Sequence, residues 1–295
     1  MNNFDGKKLS LNHLPGKLLR KIRESKGYTQ KYVAQGILRQ STYSKIEREE
    51  AEPAASKLFA ILDRLEMTVE EFLFIQEKYT YSRKGKILYS FVNQKYNVPD
   101  ELEKLKKEAD DYLTEFEDTV VKDIQSIYES LIVFGRTHDI KLARKYVQPV
   151  WDRIEAFDEW RLTEIYLVNN IMFFFNADTA IYISSRAIDQ LKKYEGFNTS
   201  AKLRYNLKFN LVYLFMDSKN YDKALTALEN LIPYTKELKK HDMLAVCYAR
   251  KGVSLIKSGD EKGEEWISKG LNILDIIEEY ELKNLLKEEI HSFIN

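Results

Sequence analysis

Gln30 to Arg48 reads QKYVAQGILRQSTYSKIER, and its apolar spacing decides the fold of the amino-terminal quarter. Thr29 followed by a polar–apolar pattern through Val33 and Ala34 predicts a short helix, with a small residue where a second helix must pass close. Gly36 permits a turn, because a residue without Cβ enters the left-handed region at no steric cost. A second helix is expected from Arg39 or Gln40. It places Tyr43 and Ile46 on one apolar face and leaves Gln40, Ser41, Thr42 and Lys45 on the other. Two short helices about a glycine turn form a helix-turn-helix, whose second helix brings such side chains to base edges in a DNA major groove. Arg20, Arg23, Gln30, Arg39 and Arg48 complete the expected DNA-contacting set.

Charge is distributed accordingly. The chain of 295 residues carries 46 basic and 46 acidic side chains and has no net pull on polyanions. The first 48 residues hold eleven Lys or Arg against Asp5, Glu24 and Glu47, a balance of +8 that leaves −8 for the rest. A basic head on an acidic body is expected when one end binds nucleic acid and the other binds something else.

The same stretch, with Leu19, Ile22 and RKIRESKGYTQ ahead of it, resembles the helix-turn-helix of the lambda-repressor and Xre type. Lys45 to Arg48, then Pro53, Leu58, Leu62, Leu65, Met67 and EEFL at 70–73, follow that pattern to its fifth helix. Two departures stand out. Ala34 and Tyr43 are one residue closer than in the usual repressor turn, as in the Rgg/GadR/MutR regulators, and the glycine that normally follows the Glu-Arg pair is Glu49.

A chain this long accommodates two domains with separate cores. Its 44% hydrophobic and 31% charged residues describe a soluble folded protein. The single Cys247 excludes an intramolecular disulfide and any cysteine-rich zinc site, so a reducing cytoplasm is expected, with the thiol as a buried small apolar group. Met1 to Gly16 is polar and basic, unlike a signal peptide. The most hydrophobic window, Ile165 to Ile183, is broken by Asn169, Asn170, Asn176 and Asp178 and reads as a buried helix and turn rather than a membrane span. No membrane association is expected.

From about Arg83 apolar residues recur at three and four spacing without strand-like alternation, so the fold class is all-α. The expected division is a helix-turn-helix domain at 1–75, a linker at 76–85 and a helical body at 86–295. Within the body, Lys219-Asn220-Tyr221-Asp222-Lys223-Ala224 resembles the turn of a tetratricopeptide repeat. Similar turns precede Ala143, Ala180 and Gly263. These small residues stand 37, 44 and 39 apart, which predicts stacked helix pairs forming a curved tetratricopeptide-like α-solenoid.

A solenoid behind a short-turn repressor head resembles the Rgg/GadR/MutR family across essentially the whole chain. Asp158-Glu159-Trp160, then Glu164-Ile165 and Asn169-Asn170, is similar to a segment of that family. The resemblance implies a cytoplasmic transcription regulator of the Gram-positive type, in many members a quorum-sensing receptor for a short pheromone peptide lying in the groove. An extended peptide needs inward-facing amides with apolar pockets between them. The candidates are Asn169, Asn170, Asn206 and Asn210 as amides, Phe173 and Tyr213 (with Phe174) as pocket walls, and Arg250 or Lys251 for a peptide carboxylate. Asn170 and Asn210 fall where the family carries asparagines. Alternatives are a repeat scaffold that captures another protein, or a small-molecule sensor with the same head.

No enzyme chemistry is legible. His13, His138, His241 and His291 are scattered, with no HExxH and no glycine-rich phosphate loop, so neither a metal nor a cofactor is expected. Glu70-Glu71, Glu264-Glu265, Glu288-Glu289, Lys192-Lys193 and Lys239-Lys240 read as solvated faces. One small helix-turn-helix contacts too few bases to outcompete a genome, so a homodimer on promoter DNA is expected, joined through Leu271 to Phe293.

Overall fold

The computed structural model describes residues 16–94, 97–197 and 200–294. The polar stretch before Gly16, with Asp5, Lys7, Lys8 and His13, lies outside them. Sixteen α-helices occur among the described residues, with no strand. They fall into two compact units: residues 1–93 with 111–117, and 94–110 with 118–295.

The first unit holds α1 (Gly16–Ser25), α2 (Gln30–Ala34), α3 (Gln40–Glu47), α4 (Ala55–Arg64), α5 (Val69–Gln76) and α6 (Arg83–Asn93). Thr29 caps α2, its hydroxyl accepting from the Tyr32 amide at 3.1 Å, and Thr68 caps α5 by accepting from Glu71 at 3.1 Å. Gly36 takes φ +77°, the left-handed turn that separates α2 from α3. Leu19, Val33, Ala34, Tyr43, Ile46, Leu62 and Leu65 are buried together with Ile61 and Phe72. At roughly 1.5–3 kcal/mol for each large side chain, that core supports five helices of which α2 has only five residues. Glu49 takes φ 62°, the conformation that a glycine at that place would adopt without strain. Residues 76–85, the expected linker, carry the turn between α5 and α6, both of which belong to the first unit.

The second unit is built from helix pairs. After α7 (Pro99–Leu113), whose last residues are counted with the first unit, the pairs are α8 (Thr119–Thr137) with α9 (Ile140–Glu155), α10 (Leu162–Ile171) with α11 (Ala177–Leu191), α12 (Ser200–Asp217) with α13 (Tyr221–Glu237), and α14 (His241–Lys257) with α15 (Gly263–Ile276). A single helix, α16 (Tyr280–Ile294), follows. Ala143, Ala180, Ala224 and Gly263 each lie at the start of a second helix and are buried. Side-chain caps hold several starts: Asp118 for α8, Asp139 for α9 and Asn176 for α11. Each first helix touches the next, α8 to α10 to α12 to α14 to α16, so these five form the inner layer of the stack.

The Trp160 segment is a structural corner. Its indole nitrogen donates to the Ile154 carbonyl at 2.9 Å, and the Arg186 guanidinium lies 4.3 Å over its ring while donating to the Phe157 carbonyl. Glu164 accepts from the Arg161 amide at 2.9 Å and so fixes the first turn of α10. Cys247 is buried, and burial pushes its thiol up to about 11, which suits packing rather than redox chemistry. No helix among the described residues is long and apolar enough to cross a membrane.

Candidate functional site

On the first unit, the polar face of α3 is open. Arg39 sits at its N-cap, and Arg39, Gln40, Ser41, Thr42 and Lys45 are all exposed, while Tyr43 and Ile46 face the core. Arg48, at the helix end, pairs with Glu50 at 2.7 Å and donates to the Ser44 hydroxyl at 3.2 Å. Arg20 is exposed and paired with Glu24 at 2.8 Å. An open hollow beside these residues is lined by Lys17, Arg20, Lys21 and Arg48, with Glu24, Glu47 and Glu50 between the cations.

Of the expected DNA contacts, Arg23 is corrected, and Gln30 is bonded within the unit. Arg23 is buried, and its guanidinium donates to both carboxylate oxygens of Glu47, at 2.5 and 3.0 Å, and to the Tyr28 carbonyl at 2.8 Å. Gln30 is half-buried and gives its amide to the same carboxylate at 2.7 Å. Glu47 therefore ties α1, the start of α2 and the recognition helix together, and Arg23, buried against it, sets the angle of α3 instead of reaching bases. The hydrogen bond to Glu47 holds the Arg23 guanidinium even more firmly charged than usual, against its own burial.

Sequence reasoning missed two further residues of this unit. Arg64 stacks over Tyr32 and donates to the carbonyls of Tyr32 at 2.8 Å and Gln35 at 3.2 Å, satisfying the end of α2. The Glu49 carboxylate accepts from the Lys17 amide at 3.4 Å and pairs with its ammonium at 2.9 Å, at the positive end of α1.

On the inner layer of the second unit, Asn169 of α10 and Asn210 of α12 meet, the Asn210 amide donating to the Asn169 carbonyl oxygen at 3.1 Å. Asn206 lies one turn from Asn210 and is half-buried. Asn170, expected beside them, turns its amide to the Tyr166 carbonyl of its own helix at 2.9 Å. Phe173 and Tyr213 pack edge-on with centroids 6.0 Å apart, whereas Phe174 is buried against Phe134.

The two cations are corrected. Arg250 is buried and donates to both oxygens of Glu289 on α16, at 2.7 and 3.1 Å, and to the Phe209 carbonyl at 3.1 Å. Lys251 points to the neighbouring helix, its ammonium 4.1 Å over the Trp266 ring of α15. Glu289 is thus no solvated charge, and Lys240 is another exception. It lies 4.3 Å over the Tyr205 ring, where burial and then the nearby Lys202 favour its neutral form.

Residues 19–72 match a helix-turn-helix family, and residues 96–288 match the family described as "HTH-type transcriptional regulator Rgg, C-terminal domain". Among solved structures, a protein of Listeria monocytogenes EGD-e assigned as a transcriptional regulator superposes with TM-score 0.76 at 21% identity, covering 96% of this chain and 97% of that one. The SHP pheromone receptor Rgg2 of Streptococcus dysgalactiae gives 0.69 at 21%, covering 94% and 99%. PlcR of Bacillus thuringiensis, solved with the peptide PapR7 and DNA, gives 0.65 at 17%, covering 92% and 98%. At these identities the likeness is one of fold. The matched segment 96–288 covers well over half of the sequence, and with the helix-turn-helix ahead of it the chain belongs to the Rgg family of helix-turn-helix transcriptional regulators.

Proposed function

We propose that this regulator binds promoter DNA as a homodimer through the exposed face of α3, and that a short peptide on the inner layer of the repeats controls that binding. The observation that carries the peptide is the Asn169–Asn210 bridge. Two amides from different helices, half-buried and facing each other, offer paired donors and acceptors of the kind an extended backbone needs. Rgg2 is described as a pheromone receptor and PlcR was solved with a peptide, which agrees with this reading. The dimer is supported by the α15–α16 corner, where Ile276 is 81% exposed and Tyr280 and Leu285 are more than half exposed.

The test is binding of the purified protein to DNA from its own upstream region at two salt concentrations, with and without short hydrophobic peptides encoded nearby. Lys45→Ala is expected to weaken specific binding and to lower the salt slope by about one if Lys45 meets a phosphate. An unchanged affinity and slope would remove Lys45 from the interface. Asn210→Ala is expected to leave DNA affinity intact and abolish the peptide response. A full response in that variant would remove the amide bridge from the ligand site.

A further inference from the structure

The hollow on the first unit gathers Lys17, Arg20, Lys21 and Arg48, yet it carries little net charge because carboxylates stand between them. Glu47 belongs to the buried pair with Arg23. The others are held by exposed cations. Glu50 accepts from Arg48 Nε at 2.7 Å and Nη2 at 3.0 Å, and Glu24 accepts from Arg20 Nε at 2.8 Å. Glu49 pairs with Lys17 at 2.9 Å. The cations on this side of the head are therefore largely occupied by the protein's own acids before any DNA arrives.

Arg48 has the form of a phosphate clamp. Its Nη1 donates to the Ser44 hydroxyl at 3.2 Å, which steadies the guanidinium on α3 and leaves Nε and Nη2 side by side for one two-oxygen acceptor. A phosphate presents the same pair of oxygens as the Glu50 carboxylate. Arg48 stands three residues beyond Lys45, on the same side of α3, so a duplex that meets Lys45 brings its backbone toward Arg48. The pair is also easily exchanged. Its side chains are 52% and 51% exposed, and an ion pair in such a place contributes about 0–1 kcal/mol to the fold. The hydrogen bond from Arg48 holds the Glu50 carboxyl below the usual carboxylate range, so it stays charged at neutral pH and repels an approaching phosphate.

We propose that the hollow is a DNA-backbone site in which Arg48 is the phosphate clamp and Glu50 its resting occupant, with Arg20 and Glu24 repeating the arrangement, so that these carboxylates restrain the affinity for DNA of any sequence. This rests on the α3 face being the DNA-binding surface. On docking, phosphate oxygens take the two Arg48 donors and the Glu50 carboxylate turns to solvent. A head with this many cations would otherwise be held by unrelated DNA through charge alone, and the occupants lower that sequence-independent part of binding.

The test is fluorescence anisotropy of a short labelled duplex of unrelated sequence, titrated over a range of salt with the full-length protein. Glu50→Gln is expected to raise affinity at least about threefold and to steepen the salt dependence by about one, the value of one further phosphate contact. Glu70→Gln makes the same charge change on α5, away from the hollow, and is expected to give less than half of that gain. In an Arg48→Met background the Glu50→Gln gain should vanish, because the clamp is gone. No gain from Glu50→Gln, an equal gain from Glu70→Gln, or a gain that survives Arg48→Met overturns the proposal, leaving only the effect of net charge. Lys45→Ala is read on the specific site and Glu50→Gln on unrelated DNA. A silent Lys45 beside a responsive Glu50 would remove the α3 contact and keep the clamp, and the converse would remove the clamp alone.

Discussion

Glu47→Ala is expected to remove a large part of the stability of the first unit and to weaken DNA binding, although Glu47 touches no DNA in the reading above. Its side chain is 1% exposed and accepts from Arg23 twice and from Gln30 once. Alanine leaves the Arg23 guanidinium buried without its counter-charge, a change that costs about 3–5 kcal/mol because the lost attraction is not repaid by hydration. A small domain has only about 5–15 kcal/mol in total. At about 4–8 °C per kcal/mol for a unit of this size, the midpoint of its thermal transition should fall by more than about 10 °C.

The contrast decides the cause. Arg23→Met with Glu47→Leu removes both charges and fills the volume, so it should recover much of the loss, since an apolar pair avoids the desolvation cost. Calorimetry of the full chain measures both variants. A single variant as stable as the native protein, or a double variant worse than the single, would show that the pair does not hold α1 to α3. Glu50→Ala is the surface control: that carboxylate is exposed and pairs with exposed Arg48, so stability should not change.

Local spacing carried far in this chain. The helix start at Thr29, the turn at Gly36, and the small residues at 143, 180, 224 and 263 act within one or two helical turns, and each lies where its spacing places it. Partners distant in sequence were illegible. Arg23 looks like any basic residue on an amphipathic helix until Glu47, 24 residues away, is seen to hold it. Glu289 sits beside Glu288 in a charged helix, and nothing local distinguishes the one that meets Arg250 across 39 residues. Lys251 follows Arg250, yet one residue is about 100° around a helix, enough to send it to Trp266 instead of the inner layer. Among the asparagines, Asn170 bonds its own helix while its neighbour Asn169 makes the bridge. The attachment of 111–117 to the first unit likewise has no local signal, because it depends on where the chain returns.

Gly270→Ala is expected to destabilise the second unit by about 1–3 kcal/mol, the reverse of what helix propensity alone gives. In an exposed helix interior the same change stabilises by about 0.5–1 kcal/mol. Here a Cβ would stand 2.5 Å from the Ala245 carbonyl oxygen and 3.1 Å from the Ala249 amide nitrogen, both backbone atoms that cannot rotate away. Gly263 and Gly270 are seven residues apart, as are Ala245 and Gly252 on the facing helix, so small residues at two-turn spacing let α14 and α15 cross almost backbone to backbone. A Cβ on Gly263 would in turn strike the Gly252 carbonyl. Relief requires α15 to move away along its whole length, which loosens Ile267, Leu271 and Leu274 from the shared core. Denaturant unfolding measures the change, and a variant at least as stable as the native chain would show that the seam yields easily. The seam also sets the site, because Ala249 precedes Arg250. A shift of α14 under that strain draws the Arg250 guanidinium away from the Phe209 carbonyl, so the loss reaches the inner layer as well as the seam.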